Sequence, residues 1–200
     1  MIISYILKNV PIKAHFQKER EKKMDSVKRV GRELVYKGSI LDMYKDTMEF
    51  ADGHTSDWDY LDHRGNAAAV IPITNEGKIL MVRQYRNSVD GLTLEIPAGC
   101  LDFKDEETSV AAARELEEET GFKANNIEKL FTIVTAVAYC NELIDIYIAR
   151  DLEKGHRCLD EDEDINVECY SLDEAKKMIR EGKIIDAKTV AAILAYAAFY

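Results

Sequence analysis

The sequence predicts an α/β protein: a mixed β-sheet held between helices, an α/β/α sandwich, preceded by an antiparallel β subdomain. Three observations predict it. Residues 31–64 carry short strand-like runs parted by glycine turns. Residues 67–84 carry two nearly continuous apolar runs, the pattern of strands buried on both faces. From residue 94 onward, strand-like runs alternate with helical stretches that close on glycine. A chain of 200 residues with 46% apolar and 32% charged side chains is long enough for one compact domain with a sizeable core and a small subdomain.

Residues 1–30 read as an N-terminal extension. Met1 to Leu7 is a short apolar stretch and Lys18 to Lys23 is charged. A basic start, a long apolar region and a small-residue cleavage site are all missing, so no signal peptide is expected, and Met24 is an alternative natural start. Residues 31–64 read as a β ribbon. Glu33–Tyr36 and Ile40–Tyr44 are parted by Lys37-Gly38, and Thr47–Phe50 and Trp58–Leu61 flank Asp52-Gly53. Residues 65–200 form the main domain. Ala67–Thr74 and Lys78–Gln84 surround Asn75-Glu76-Gly77 and are expected to be central strands. The apolar strand Leu94-Glu95-Ile96 leads into a Pro97-Ala98-Gly99 turn, an acidic loop and a helix that ends at Gly121. Thr108 or Ser109 is expected to cap that helix, Ala111 to Ala113 favour it, and Gly121 stands where a left-handed stop belongs. Leu130–Ala136, Leu143–Ala149 and Val167–Ser171 are further strands. Leu172–Glu181 is a helix with Asp173 near its start and Gly182 past its end, and Ala187–Phe199 is a closing Ala-rich helix.

The net charge of −10 argues against nucleic acid as a partner. No run reaches the roughly 20 apolar residues of a membrane-spanning helix. Cys100, Cys140, Cys158 and Cys169 show no zinc-type spacing and read as reduced thiols of a cytoplasmic protein. An anionic substrate would need a bound cation and a local basic cluster.

Glu115, Glu118 and Glu119 stand at i, i+3 and i+4, which gathers three carboxylates on one helix face. A Glu-rich helix face is usually just solvated. Like charges at this spacing oppose one another, and a hard divalent cation, Mg²⁺ or Mn²⁺, would offset them. The string from Arg114 to Phe122, RELEEETGF, resembles position for position the REUxEExGU signature of the Nudix hydrolases, where U is apolar. Glu106 stands where that box places its first Glu. The box glycine falls one residue early, at Gly99 rather than at Cys100, as a one-residue insertion in Leu101–Asp105 would produce. The resemblance implies that Glu115 and Glu119 are metal ligands, with Glu118 beside them and the Ala98 carbonyl contributing from the turn. It implies that Arg114 orients a carboxylate and that Glu106 supports the box.

The acidic run Asp160-Glu161-Asp162-Glu163-Asp164 would, alone, be a solvated loop. Its place before the Val167 strand, with Glu181-Gly182 and Asp186-Ala187-Lys188-Thr189 following, resembles the ADP-ribose pyrophosphatase branch of the family. There a Glu of this loop is the general base, and Glu161 and Glu163 are both candidates. Arg83-Gln84-Tyr85-Arg86 is a mark of the same branch, and an Arg here suits bidentate phosphate binding. Trp58, the one tryptophan, reads either as subdomain packing or, by resemblance, as a platform for adenine in a homodimer whose ribbons complete each other's sites. Glu142 is implied as a ribose ligand or a support for Arg86. Many ADP-ribose hydrolases carry a Pro where this chain has Val137-Ala138. The resemblance thus implies Mg²⁺-dependent hydrolysis of a nucleoside diphosphate joined to another moiety, ADP-ribose first. The alternatives are a GDP-sugar or another nucleotide sugar, or a non-catalytic nucleotide-sensing module.

Overall fold

In the computed structural model the chain is described over residues 26–103, 105–159 and 164–200. Glu161, Glu163 and most of the N-terminal extension lie outside the described residues. The chain divides into two compact units. One comprises the chain up to Asn66 with Val134–Leu143, the other Ala67–Ile133 with Ile144–Tyr200.

The first unit is built on an antiparallel sheet of β1 (Val27–Lys37), β2 (Leu41–Phe50) and β3 (Thr55–His63), in that order. The four short strands expected here are three long ones, because Ile40–Tyr44 and Thr47–Phe50 belong to one strand. The polar pair Lys45-Asp46 looks like a break, but its charges are paired across the sheet. Arg32 donates to both oxygens of the buried Asp46, at 2.5 and 2.6 Å. The same guanidinium lies over the rings of Tyr44 and Tyr60, 5.0 and 4.0 Å from their centroids. A turn at Gly53, with φ 85°, joins β2 to β3. Residues 134–143 attach to the sheet through the Leu61 N–H, which donates to the Tyr139 carbonyl at 2.7 Å, and through Asn141 Nδ2, which donates to Asp62 at 2.6 Å.

The second unit contains β4 (Ala67–Pro72), β5 (Ile79–Arg86), β6 (Gly91–Glu95), β7 (Ala98–Cys100), α1 (Thr108–Thr120), β8 (Phe122–Val134), β9 (Leu143–Lys154), β10 (Asn166–Tyr170), α2 (Leu172–Arg180) and α3 (Ala187–Phe199). The strands divide into two sheets, ordered β7-β4-β9-β8 and β10-β5-β6. Successive strands β4 and β5 are therefore central in different sheets, and the isolated bridge Ile73–Ile79 closes the connection between them. β4 pairs in parallel with β9 and antiparallel with β7.

Both faces of β4 are buried, which explains its unbroken apolar run. Ala67, Ala69, Ile71 and Ile73 join a core with Ile146, Ile148, Ala192 and Ile193, on the α3 side. Ala68 and Val70 join a second core with Ala111, Ala112 and Leu116 of α1. Helices on opposite faces of one strand layer are the predicted sandwich.

Helix α1 starts differently from expectation. Its N-cap is Glu107 without a side-chain cap bond, and Thr108 is its first helical residue. The Thr108 hydroxyl is committed elsewhere, to Asp145 Oδ2 at 2.7 Å and to the Tyr147 hydroxyl at 2.6 Å. At the other end Gly121 is left-handed, φ 75°, and its N–H donates to the Glu117 carbonyl. β8 begins immediately after it, eight residues before the expected Leu130, because Lys123 to Lys129 carry too many exposed polar groups to read as strand. α2 is capped by Ser171, with Asp173 in its first turn. Ser171 and Glu174 form a reciprocal capping box. Ser171→Ala should therefore lower unfolding free energy by about 1 kcal/mol in a urea melt, since the Glu174 N–H loses its acceptor. Among the described residues no helix is long and apolar enough to cross a membrane.

Candidate active site

The box residues meet where α1 passes behind the β6–β7 turn. Helical spacing puts Glu115 and Glu119 on the face of α1 that packs inward, and they are only 8% and 2% exposed. The sequence suggested a solvent-facing carboxylate row. The structure buries two of the three and leaves Glu118 partly exposed, with small side chains at Ala111 and Ala112 letting the helix approach the strands.

Arg114 organises the cluster. Its Nη1 donates to Glu115 Oε1 at 2.7 Å and to Glu118 Oε2 at 3.0 Å. Its Nε lies 3.2 Å from Asp102 and 3.4 Å from Glu106, and Nη2 donates to the Cys100 carbonyl at 3.0 Å. Burial works against the guanidinium charge, but the surrounding carboxylates outweigh it and hold its proton more tightly than usual. Glu106, itself buried, accepts the Asp102 N–H at 2.8 Å and so closes the acidic loop.

The turn supplies backbone. The Ala98 N–H donates to Glu119 Oε2 at 3.2 Å. A Cβ placed on Gly99 would stand 2.1 Å from Glu115 Oε1, so only glycine leaves that carboxylate its place. Gly99 thus fills the glycine position of the box, and the extra residue falls after it. Among the described residues no three acidic, His or Cys side chains converge as a ready ligand set, since Arg114 sits between Glu115 and Glu118. The donor chemistry is nevertheless that of a hard divalent ion: oxygen only, anionic, with turn backbone against the carboxylates.

Arg83 and Arg86 stand three residues apart on β5 and face opposite ways. Arg83 makes a two-point pair with Glu168 of β10, at 2.5 and 3.0 Å, so it is occupied within the sheet and not gathered with the box. Arg86 makes a two-point pair with Glu95, both bonds 2.8 Å, and feels the charges of Glu119 and Asp186. It lines a cleft of about 240 Å³ with Ser88, Thr93, Ile185 and Lys188.

Sequence reasoning assigned no role to Glu95, Asp186 and Lys188, which also line this cleft, or to the fully buried Thr189 next to Lys188. Glu95 accepts from Arg86, from Lys188 Nζ at 2.5 Å and from the Thr93 hydroxyl at 2.6 Å. A lone carboxylate in the apolar run Leu94-Glu95-Ile96 was the available signal, because a charge buried there demands partners.

Burial alone would raise the Glu95 pKa. Arg86, Lys188 and Thr93 outweigh it and hold it at about 2, against 4.5 for an ordinary Glu. Because the folded value is the lower one, the stabilisation is full above pH 4.5 and disappears as pH falls through 4.5 toward 2. The loss should reach about 3 kcal/mol. Urea midpoints measured from pH 6 to pH 2 should fall in that window, and less steeply in Glu95→Gln.

Trp58 and Glu142 belong to the first unit. Trp58, 47% exposed, lines a pocket of about 170 Å³ with Arg29, Asp46, Tyr60 and Val137 to Cys140. Glu142 lies 3.8 Å from His63.

Comparison with known proteins identifies the family. Residues 63–193 match the NUDIX domain. The chain is 40% identical over 173 residues to a methanol dehydrogenase activator of Bacillus methanolicus, covering 86% of this chain and 92% of that one. It is 37% identical over 168 residues to an ADP-ribose pyrophosphatase of Bacillus subtilis (strain 168), covering 83% and 90%. A crystal structure of an ADP compounds hydrolase superposes with a TM-score of 0.80 at 22% identity, covering 88% of this chain and 95% of that one. A matched domain spanning most of the chain, on a fold that packs the box helix behind a Gly99 turn, means that this chain belongs to the NUDIX family and is one of its pyrophosphohydrolases.

Proposed function

We propose that the protein hydrolyses the pyrophosphate bond of ADP-ribose to AMP and ribose 5-phosphate, with Mg²⁺ as its cofactor, as a cytoplasmic homodimer. The observation that carries this reading is the acidic cluster of α1: Glu115 and Glu118 on Arg114, and Glu119 on the Ala98 N–H, with Glu115 and Glu119 buried and Glu118 partly exposed. Mutually repelling carboxylates gathered on one helix, two of them buried, need cationic compensation, and one guanidinium supplies only part of it.

Glu115, Glu118, Glu119 and the Ala98 carbonyl would hold the ion. Bound there, it would neutralise pyrophosphate oxygens and bring water to the bond. Arg114 keeps the carboxylates in place as the ion enters. Arg86, braced by Glu95, presents the outer edge of its guanidinium to a phosphate oxygen, where a fixed donor stabilises charge that grows in the transition state. Arg83 is left out of this role by its pairing with Glu168. Water adds to one phosphorus as the bridging oxygen leaves on the other phosphate, and a loop carboxylate, Glu161 or Glu163, takes the water proton. Trp58 offers adenine an exposed indole face, and Glu142 offers ribose hydroxyls a carboxylate.

ADP-ribose is preferred because the Bacillus subtilis relative, similar over most of both chains, carries that activity in its name. Exposed Val30, Leu34, Val35 and Tyr36 on strand β1 support a second copy as the partner of that sheet. None of the four cysteines is in a disulfide, in keeping with a reducing compartment.

The test is steady-state hydrolysis of ADP-ribose, GDP-mannose, UDP-glucose, NADH and diadenosine polyphosphates with Mg²⁺. The reading expects ADP-ribose to have the highest kcat/KM. A higher value for GDP-mannose would move the substrate and keep the chemistry. Tight nucleotide binding without turnover of any would replace the enzyme by a sensor.

A further inference from the structure

The turn that faces the acidic cluster is anchored at each of residues 95 to 98 by a group from elsewhere in the chain. Glu95 is fixed by Arg86, Lys188 and Thr93. The buried Ile96 N–H donates to Thr189 Oγ1 at 2.9 Å. The Pro97 carbonyl accepts the Val70 N–H at 2.9 Å, and the Ala98 N–H donates to Glu119. Two of these four anchors come from the first turn of α3, more than ninety residues further along the chain.

That first turn is unusually well tied. Asp186 Oδ2 accepts the Thr189 N–H at 3.0 Å, the Thr189 hydroxyl at 2.6 Å and Lys188 Nζ at 3.1 Å. The Thr189 hydroxyl therefore donates to the cap and accepts from the turn, with no freedom left. Thr189 is fully buried and Lys188 nearly so. Burying a lysine is costly unless its partners are fixed, and here both partners are fixed. A plain helix cap needs only Asp186. The extra reach of Lys188 to Glu95 and of Thr189 to Ile96 joins that cap to the one stretch of backbone whose position decides where the Ala98 carbonyl and Gly99 lie.

We infer that Thr189 and Lys188 are positioning residues for cation binding: through Ile96 and Glu95 they set the 95–98 turn at the distance from Glu115 and Glu119 that a divalent cation requires. They touch neither the ion nor the substrate. The inference rests on the assignment of the Ala98 turn and the α1 carboxylates as the cation site. Outer partners of metal sites commonly change affinity by about 10–100-fold when removed.

The experiment is Mn²⁺ binding to the full-length protein without substrate, read from the free-ion electron paramagnetic resonance signal. Wild type, Glu119→Gln, Thr189→Val and Thr189→Ser are compared, each checked for native circular dichroism. Thr189→Val keeps the shape and removes the hydroxyl, and it should weaken Mn²⁺ binding by about tenfold or more. Thr189→Ser should restore it. In turnover, the Mg²⁺ concentration for half-maximal rate should rise with Thr189→Val while the rate at saturating Mg²⁺ falls less.

If Thr189→Val binds Mn²⁺ as wild type does while Glu119→Gln loses it, Thr189 is core packing alone and the inference is overturned. If Glu119→Gln also keeps full affinity, the cation site lies elsewhere and both readings fall. Should Thr189→Val not fold, Asp186→Ala, which releases the Thr189 hydroxyl and Lys188 from a half-buried position, carries the same expectation.

Discussion

Glu119→Gln should lower kcat on ADP-ribose by on the order of a thousandfold, because the proposed cation would lose one anionic ligand and, with it, several kcal/mol of charge stabilisation in the transition state. The fold should survive. Glu119 is 2% exposed, and its Oε2 accepts the Ala98 N–H. Gln keeps the shape and the accepting oxygen while removing a buried negative charge beside Glu115. The urea midpoint should therefore stay level or rise slightly, since relief of like-charge repulsion acts in that direction. Activity and stability moving in opposite directions is the signature of a group kept for chemistry at some expense to the fold. A variant that loses activity and unfolds together would mean that the carboxylate is structural.

Glu95→Ala should lower the stability of the second unit by about 3–5 kcal/mol. It removes the carboxylate on which Arg86, Lys188 and Thr93 converge. Among the described residues, the buried Lys188 then keeps Asp186, 3.1 Å away, as its carboxylate partner. Arg86 loses both bonds that aim it. Urea unfolding followed by tryptophan-independent circular dichroism reads the stability. A rise in KM well beyond that of Glu95→Gln reads the lost aim of Arg86. A loss below 1 kcal/mol would mean that water replaces the carboxylate and that the network contributes little.

The box helix and its glycine stop were legible in the sequence because local rules decide them. Helical spacing, alanines and a left-handed Gly121 act within a few residues. The closing helix Ala187–Phe199 was legible for the same reason. What the sequence could not show depended on partners far along the chain. Thr108 reads as a cap until Asp145 and Tyr147 are beside it. Lys45-Asp46 reads as a break until Arg32 reaches across to it. Arg83 and Arg86 look alike in sequence. Strand alternation separates them, and Glu168 then occupies one while Glu95 braces the other.

The candidate site followed the same division. The acids of α1 were identifiable by spacing, but their burial was not, since Ala68 and Val70 of β4 and the alanines of α1 had first to pack together. The floor beneath Arg86 was the least visible part. Glu95 and Lys188 are 93 positions apart, and the lone charge of Glu95 in its apolar run signals the need for a partner without saying which.

The most direct measurement is ³¹P nuclear magnetic resonance of ADP-ribose incubated with the protein and Mg²⁺, with Glu119→Gln and EDTA as paired controls. The account predicts that the two pyrophosphate resonances are replaced by those of two phosphate monoesters, AMP and ribose 5-phosphate, and that either control stops this. Pyrophosphate resonances that persist with wild-type protein and Mg²⁺, or monoesters that form equally fast with Glu119→Gln, would contradict it.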